Sequence, residues 1–275
     1  MRKLIIFLLL SASSFAQTPR TQTIKFYSQV LQQEMPYVAF LPASYDKTNI
    51  RYPVLYLLHG LTGHASSWDL RSGIQKYAEP YDIIIVAIEG GNSWYINSAT
   101  NPKEKYEDYF FSDVIKDVRS RFRINDGEYA RAIAGISAGG YAAINLALKN
   151  PRVFAFAGSL SGAVSAARDA ELEKELKDFK LGEIFGPQGS KTRQENDPFL
   201  LAEKAEPPVT YIWMACGTED DTIISNHAFA DLLRKKHIPY EMHEWPGEHE
   251  WTFWTQALPE MLRAVNRRFA QLARE

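Results

Sequence analysis

The hydrophobic residues fall into short continuous runs that alternate with longer amphipathic stretches. Strands buried on both faces of a sheet are predicted at 53–58 and 82–88, and further strands at 132–134, 154–158, 209–215 and 240–245. A loop and a helix are predicted within 68–78, and helices at 106–122, 138–149, 168–179, 225–236 and 254–274. Strands that alternate with helices indicate an α/β fold with a mostly parallel sheet and helices on both faces. In such sheets, ligands bind at the carboxyl ends of the strands.

Two regions depart from this alternation. Apolar and polar residues alternate over 24–41, which predicts two antiparallel strands joined by a turn near 32–36. The segment at about 163–206 is charged and dotted with Gly and Pro, and we interpret it as an insertion over the sheet, a candidate lid or substrate wall. We therefore predict that residues 17–275 form a single domain that carries one insertion.

The first residues have the features of a secretory signal peptide. Arg2 and Lys3 precede an apolar run that is too short to span a bilayer, and Ser14-Phe-Ala16 fits a small-x-small cleavage site. We therefore expect residues 1–16 to be removed on export and the protein to be secreted or periplasmic. Because no cysteine follows the apolar run, no membrane anchor is expected.

Composition narrows the classes of function. The chain has 275 residues, a formal net charge of −2 and no basic run, which argues against a nucleic-acid partner. The one cysteine, Cys216, cannot form an internal disulfide and is predicted to be a buried thiol. The glycine-rich loops lack nucleotide-binding spacings, and Pro246-Gly247 prevents a helix from presenting His243 and His249 to one metal ion. We expect neither a cofactor nor a metal.

The main chemical signal is a G-x-S-x-G sequence, Gly135 to Gly139, between a predicted strand and a predicted helix. In a nucleophile elbow the serine has strained backbone angles, and a side chain two residues before or after it would clash. The serine then lies at a helix N-terminus, where N–H groups and the helix dipole stabilise a developing anion. We predict that Ser137 is a nucleophile; the alternative is a serine that only caps an ordinary turn.

A serine nucleophile needs a base and a carboxylate that orients the base. In α/β-hydrolases the acid and then the histidine follow the serine along the chain. His249 lies in a turn after the last predicted strand, as the base should; the alternative is a surface histidine. Asp220 and Asp221 both follow the preceding strand. We favour Asp220, three residues after Gly217, although this acidic turn could instead cap a helix.

Acyl transfer also requires N–H groups that stabilise an oxyanion. The predicted donors are the N–H of Ala138, directly after Ser137, and the N–H of Leu61, in the loop after an early strand. The aromatic residues Trp68, Trp94 and Trp251 are candidates for lining a substrate pocket, although packing in the core or rim explains any one of them equally well.

Together these motifs resemble the esterase D family of α/β-hydrolases. The resemblance is carried by four sequences: Tyr52-Pro-Val-Leu-Tyr-Leu-Leu-His-Gly-Leu-Thr-Gly63, Gly135-Ile-Ser-Ala-Gly-Gly-Tyr141, Cys216-Gly-Thr-Glu-Asp220 and Gly247-Glu-His-Glu-Trp251. Within the family, the chain is similar to tributyrin esterase-like and feruloyl or acetyl-xylan esterase-like members. The resemblance implies an α/β-hydrolase fold, a Ser137–His249–Asp220 triad and an oxyanion hole at Leu61 and Ala138. The residues after Asp220 depart from the family pattern, and the segment 163–206 varies within it, so the substrate is not transferred.

We therefore expect a secreted serine carboxylesterase that hydrolyses short acyl or aryl esters through an acyl-enzyme. The substrates expected are small-molecule or carbohydrate-linked esters, such as those of plant polysaccharide and its fragments. One alternative is an acyltransferase of the same fold that uses a sugar or another alcohol as acceptor. A second is a non-catalytic binding module on a hydrolase fold, against which the intact serine, acid and histidine argue.

Overall fold

An eight-stranded sheet forms the centre of the molecule. The computed structural model describes residues 20–127 and 129–274. The strands are β1 (Arg20–Ser28), β2 (Gln33–Leu41), β3 (Val54–Leu58), β4 (Ile84–Ile88), β5 (Arg131–Ile136), β6 (Phe156–Leu160), β7 (Tyr211–Gly217) and β8 (Tyr240–Trp245). They lie in the order β1-β2-β4-β3-β5-β6-β7-β8, in which β2 is antiparallel to β1 and β4 and all other neighbours are parallel. The predicted α/β fold with a mostly parallel sheet is confirmed.

Helices connect the strands and cover both faces of the sheet. They are α1 (Ser67–Ser72), α2 (Ile74–Ala78), α3 (Tyr106–Tyr109), α4 (Ile115–Arg121), α5 (Ala138–Lys149), α6 (Ala170–Glu175), α7 (Leu181–Phe185), α8 (Lys191–Glu195), α9 (Pro198–Lys204), α10 (Ile223–Lys235) and α11 (Trp251–Leu272). In the described residues, 20–127 and 129–274, none of them combines the length and apolarity needed to cross a bilayer.

The continuous apolar runs follow from this two-sided cover. Alternate residues of a strand point to opposite faces. In β3, Val54, Tyr56 and Leu58 pack into one hydrophobic cluster with α4 and α5, while Leu55 and Leu57 pack into another with α1, α2 and α11. All five positions are therefore buried, and none of them accepts a polar residue without loss of core packing.

The predicted N-terminal hairpin is present, but its turn lies earlier in the chain than predicted. The turn lies at 29–32, and Pro36 belongs to β2, where it pairs with Lys25 of β1. The pairing of β2 with β4 begins only at Tyr37, so the missing N–H of Pro36 costs no hydrogen bond on that side. Gln32 closes the turn with a φ of 54°.

Other element boundaries also differ from the predictions. The strand expected at 154–158 is β6, Phe156–Leu160, which begins and ends two residues later than predicted. The helix predicted at 106–122 is interrupted by a π-helical turn, Phe110–Val114. The helix predicted at 168–179 is α6 followed by a 3-10 turn, Lys177–Phe179.

The parallel arrangement brings distant loops to one edge of the sheet. The loops after β3, β5, β6, β7 and β8 all leave at the carboxyl ends of their strands, and each lies beside its neighbour in the sheet order. The segment 163–206, which contains α6 to α9, connects β6 to β7. The site is built from these loops and from part of that segment.

Candidate active site

Ser137 occupies a tight turn between β5 and α5. Its backbone angles, φ 54° and ψ −120°, are unfavourable for a residue with a side chain. A Cβ on Gly135 would overlap the carbonyl group of Gly139 and come within 2.8 Å of the carbonyl oxygen of Leu58. A Cβ on Gly139 would lie 2.5 Å from the carbonyl oxygens of Leu58 and His59. Both glycines are therefore required by backbone packing, as the G-x-S-x-G sequence predicts.

The hydroxyl of Ser137 is hydrogen-bonded to His249, which is in turn hydrogen-bonded to Asp220. Ser137 Oγ lies 2.9 Å from His249 Nε2, and His249 Nδ1 lies 3.0 Å from each carboxylate oxygen of Asp220. The structure thus brings together the three side chains that the sequence predicts. With Nδ1–H donating to the carboxylate, Nε2 is left as the acceptor for the serine proton.

Asp220, rather than Asp221, faces the histidine. Asp220 is only 2% exposed, whereas Asp221 is exposed and lies at the rim of the neighbouring cavity. The Asp220 carboxylate also accepts hydrogen bonds from the backbone N–H of Thr222 at 2.8 Å and from its hydroxyl at 2.7 Å. The turn after β7 therefore points one carboxylate inward and leaves the next in solvent.

The surroundings of Asp220 keep it ionised. Burial alone would raise the pKa of this carboxyl, but hydrogen bonds from His249, Ser161 and Thr222 outweigh burial and lower its pKa to about 2. An ionised Asp220 fixes the tautomer of His249 and can stabilise a positive charge on the ring.

The Gly60–Leu61 turn lies against the serine on its other side. A Cβ on Gly60 would be 3.1 Å from the Cβ and 3.7 Å from the Oγ of Ser137. In residues 20–127 and 129–274, neither Leu61 nor Ala138 donates its N–H to a protein acceptor. Two N–H groups in loops that meet at the serine are thus left without protein partners, as an oxyanion site requires.

His59 supports this turn. It is buried, its Nδ1 donates to the carbonyl oxygen of Gly60 at 2.7 Å, and its Nε2 accepts from the N–H of Gly90 at 3.1 Å. The carboxylate of Glu89 accepts from the N–H groups of Ala65 and Gly91, each at 3.0 Å. His59 therefore ties the loop after β3 to the loop after β4, the supporting role that its position before the serine suggests.

A cavity of about 700 Å³ opens beside Ser137. Its walls include Trp94 and Trp251, two of the three tryptophans proposed from the sequence as pocket residues. A third part of the wall was predicted only as a region: Leu172, Leu176 and Phe179 of the insertion line the cavity. Their i, i+4, i+7 spacing within a Glu/Lys-rich stretch was the available signal for an apolar helical face.

Trp68 does not line the cavity, which corrects the expectation that it does. It is fully buried on α1 and meets the ring of Trp251 edge-on, with the centroids 5.5 Å apart. The guanidinium of Arg71 lies over the Trp251 ring, 5.4 Å from its centroid, and lines the cavity. Trp68 therefore supports a wall residue from behind, because the short helix α1 turns its ring towards the core.

The histidines and acids near β8 are engaged with one another as pairs. His243 Nε2 lies 2.8 Å from Glu241, and His227 Nε2 lies 2.8 Å from Glu244. Across the part of the chain that the structure describes, no three His, Cys, Asp or Glu side chains are grouped as metal ligands.

The fold and the site have the form of a serine hydrolase of the α/β-hydrolase class. Residues 28–265 match the model of the esterase family whose description is "Putative esterase". The chain belongs to this family and is a carboxylic ester hydrolase.

The chain is similar to proteins whose names describe different activities. An acetyl esterase of Caldicellulosiruptor saccharolyticus is 26% identical over 250 residues, which cover 85% of this chain and 93% of that protein. FphF, a fluorophosphonate-binding serine hydrolase of Staphylococcus aureus, superposes with a TM-score of 0.80 at 26% identity, covering 90% of this chain and 99% of that one. The diacylglycerol acyltransferase/mycolyltransferase Ag85A of Mycobacterium leprae is 25% identical over 243 residues, which cover 76% of this chain and 73% of that protein.

Proposed function

We propose that this esterase is a serine carboxylesterase in which Ser137, His249 and Asp220 act as a catalytic triad. The observation that carries the proposal is the continuous hydrogen-bonded series from Ser137 Oγ through the His249 ring to the Asp220 carboxylate, at 2.9 and 3.0 Å. Distances in this range allow proton transfer during nucleophilic attack.

In the proposed reaction, Ser137 Oγ attacks the ester carbonyl carbon while His249 Nε2 takes the hydroxyl proton. The N–H groups of Leu61 and Ala138 stabilise the oxyanion, each contributing about 3 kcal/mol to the transition state. The tetrahedral intermediate collapses, the C–O bond to the alcohol breaks, and His249 returns the proton to the leaving oxygen. Water, activated by His249, then hydrolyses the acyl-enzyme.

The proposed substrates are short acyl or aryl esters, including esters of carbohydrate. An apolar wall from Leu172, Leu176 and Phe179 beside Ser137 is suited to an acyl or aryl group, and the polar rim residues Arg71 and Glu175 are suited to a hydroxylated alcohol. The similarity to an acetyl esterase supports the same class. We also propose that the protein is exported and works without a membrane anchor; the sequence that suggests a signal peptide, residues 1–16, lies outside the described residues.

A second candidate function is acyl transfer to an alcohol. It is favoured by the similarity to an acyltransferase of the Ag85 group. The two functions share the acyl-enzyme and differ only in whether water or an alcohol accepts the acyl group. Incubation of the enzyme with nitrophenyl butyrate and an excess of glucose distinguishes them: hydrolysis gives butyrate alone, and transfer gives butyryl glucose.

The nucleophile is tested by Ser137→Ala, with Ser120→Ala on the exposed face of α4 as the matched control. Ser137→Ala is expected to lower the kcat for nitrophenyl acetate by about 10⁴-fold or more and to abolish labelling by a fluorophosphonate probe. Ser120→Ala is expected to turn over and label as the wild type does. Labelling of Ser137→Ala at the wild-type rate would exclude Ser137 as the nucleophile.

A further inference from the structure

Ser161 is a buried and strained residue that the reaction above does not use. It directly follows β6, has no exposed surface and has a φ of 50°, in the left-handed region that favours glycine. Its N–H donates to the carbonyl oxygen of Ala215 at 2.7 Å, which holds the backbone in this conformation. A glycine would satisfy the backbone here without strain, so the serine side chain needs its own explanation.

The hydroxyl of Ser161 lies between Trp254 and the catalytic acid. The indole Nε1–H of Trp254, which can only donate, is 3.0 Å from Ser161 Oγ. The hydrogen of the Ser161 hydroxyl is therefore free for another acceptor. Ser161 is among the groups that lower the pKa of the Asp220 carboxyl, and an ionised carboxylate is a strong acceptor for a hydroxyl.

Trp254 also contacts the base. Its ring meets the ring of His249 edge-on, with the centroids 5.2 Å apart and the planes at 89°. One tryptophan at the start of α11 thus contacts both the imidazole of His249 and the hydroxyl of Ser161. Asp220 also accepts from the N–H and hydroxyl of Thr222, which belong to the same turn as the acid.

We propose that Ser161 and Trp254 are positioning residues: Trp254 donates to Ser161, Ser161 donates to Asp220, and this relay fixes the carboxylate against His249. The inference rests on the proposed triad and extends it by two residues. Thr222 restrains the carboxylate from its own turn, whereas Ser161 restrains it from the neighbouring strand. The relay therefore links the loop after β6 and the start of α11 to the acid after β7.

Few titratable groups surround Asp220, which makes the pH dependence of kcat/KM simple to interpret. They are His249, from the start of α11, and the Cys216 thiol, on β7. Burial raises the pKa of Cys216 to about 12, so this thiol stays protonated and neutral over the working range. The acidic limb of the pH profile of kcat/KM then reports protonation of the base. Without the Ser161 donor the negative charge of Asp220 is less dispersed and holds a protonated His249 more tightly, so the limb moves to higher pH.

The test uses Ser161→Gly, Ser161→Ala, Trp254→Phe and the double variant Ser161→Gly/Trp254→Phe in the full-length protein. Ser161→Gly suits the backbone and removes the hydroxymethyl side chain, whereas Trp254→Phe keeps an aromatic ring and removes the N–H together with part of the indole. The double variant leaves no unpaired donor in the core, so it should fold as the wild type does. Trp213→Phe, at a buried tryptophan of β7, is the matched control.

Both Ser161 variants are expected to lose about tenfold in kcat for nitrophenyl acetate, with KM within about twofold and the acidic limb shifted to higher pH. Trp254→Phe is expected to shift the limb in the same direction. In the Ser161→Gly background, Trp254→Phe should not shift the acidic limb any further, because the relay is already broken. Trp213→Phe should leave the limb in place.

A well-folded Ser161→Gly with the kcat and pH profile of the wild type would overturn the inference while leaving the proposed function intact. Equal shifts from Trp254→Phe in both backgrounds would also overturn it, since the two residues would then act independently. If the wild type neither turned over esters nor labelled with a fluorophosphonate, the proposed function would fail, and this inference with it.

Discussion

Around Ser137, main-chain atoms of neighbouring segments pack directly against one another. The insertion at 163–206 is instead fixed in position mainly by contacts of its side chains. The elbow leaves no room for a Cβ at Gly135 or Gly139. In the insertion, α6 has no buried residue, and a Cβ on Gly189 would meet nothing within 4 Å. The two regions face the same cavity beside the serine.

One buried side chain anchors much of the insertion. Arg193 is 3% exposed and donates to the carbonyl oxygens of Gly186 at 2.8 Å and Ala167 at 3.0 Å, and it pairs with Glu173. Many sequences can satisfy such contacts, but few can satisfy the steric demands of the elbow. We therefore expect the sheet edge to set the chemistry and the insertion to set the fit of the substrate. Three predictions test this division, from the largest effect to the smallest.

Asp220→Asn should have the largest effect, because an amide in place of the carboxylate stabilises the wrong tautomer of His249. We expect a loss of about 10⁴-fold in kcat. Asp221→Asn is the matched control at the next residue. Asp221 lies at the cavity rim, and we expect its substitution to lower kcat by no more than about threefold. Steady-state rates with nitrophenyl acetate decide the matter. A larger loss from Asp221→Asn than from Asp220→Asn would mean that the turn after β7 is not fixed and that our contrast is wrong.

The two regions can be compared directly through the stability of the variants Gly139→Ala and Gly189→Ala. Gly139→Ala forces a methyl group against main-chain oxygens and should cost about 3 kcal/mol of unfolding free energy or prevent folding. Gly189→Ala meets no atoms within 4 Å and carries only the strain of a φ of 75°, about 1 kcal/mol. Urea unfolding of the soluble variants, with the yield of folded protein as the second measure, provides the comparison. Equal losses of unfolding free energy in the two variants would show that the backbone around Ser137 can shift to accept a methyl group, which would contradict the contrast between the two regions.

The same contrast explains which features the sequence predicts. Two glycines spaced around Ser137 are detectable because sterics permit no other residue there. His249 and Asp220 are detectable because parallel strands deliver their loops to one edge in a fixed order. The G-x-S-x-G elbow, the strand and the helix that flank it, and the order of the later motifs are therefore predictable from the sequence alone.

The insertion was less predictable because its residues are chosen by contacts distant in the sequence. Its charged helix pattern predicted a segment over the sheet, but not that Leu172, Leu176 and Phe179 turn towards the cavity. Trp68 shows the converse: an aromatic residue near the site was expected to line the pocket, and tertiary packing placed it behind Trp251. Ser161 carries no motif, and its bond to Trp254 joins residues 93 positions apart.

Phe179→Ala should have the smallest effect, confined to selectivity for the acyl group. Phe179 lines the cavity from the 3-10 turn of the insertion, and its loss removes apolar surface that a longer acyl chain would contact. Each methylene is worth about 0.8 kcal/mol of apolar burial, and butyryl has two more than acetyl. We therefore expect kcat/KM for nitrophenyl butyrate to fall about tenfold more than that for nitrophenyl acetate. Lys177→Ala is the control, because Lys177 is exposed on the same turn and lies outside the cavity wall. It should change neither kcat/KM for either ester nor the ratio of the two values. Equal losses on both esters would place the acyl chain away from the insertion, which would then contact the alcohol or only close the cavity.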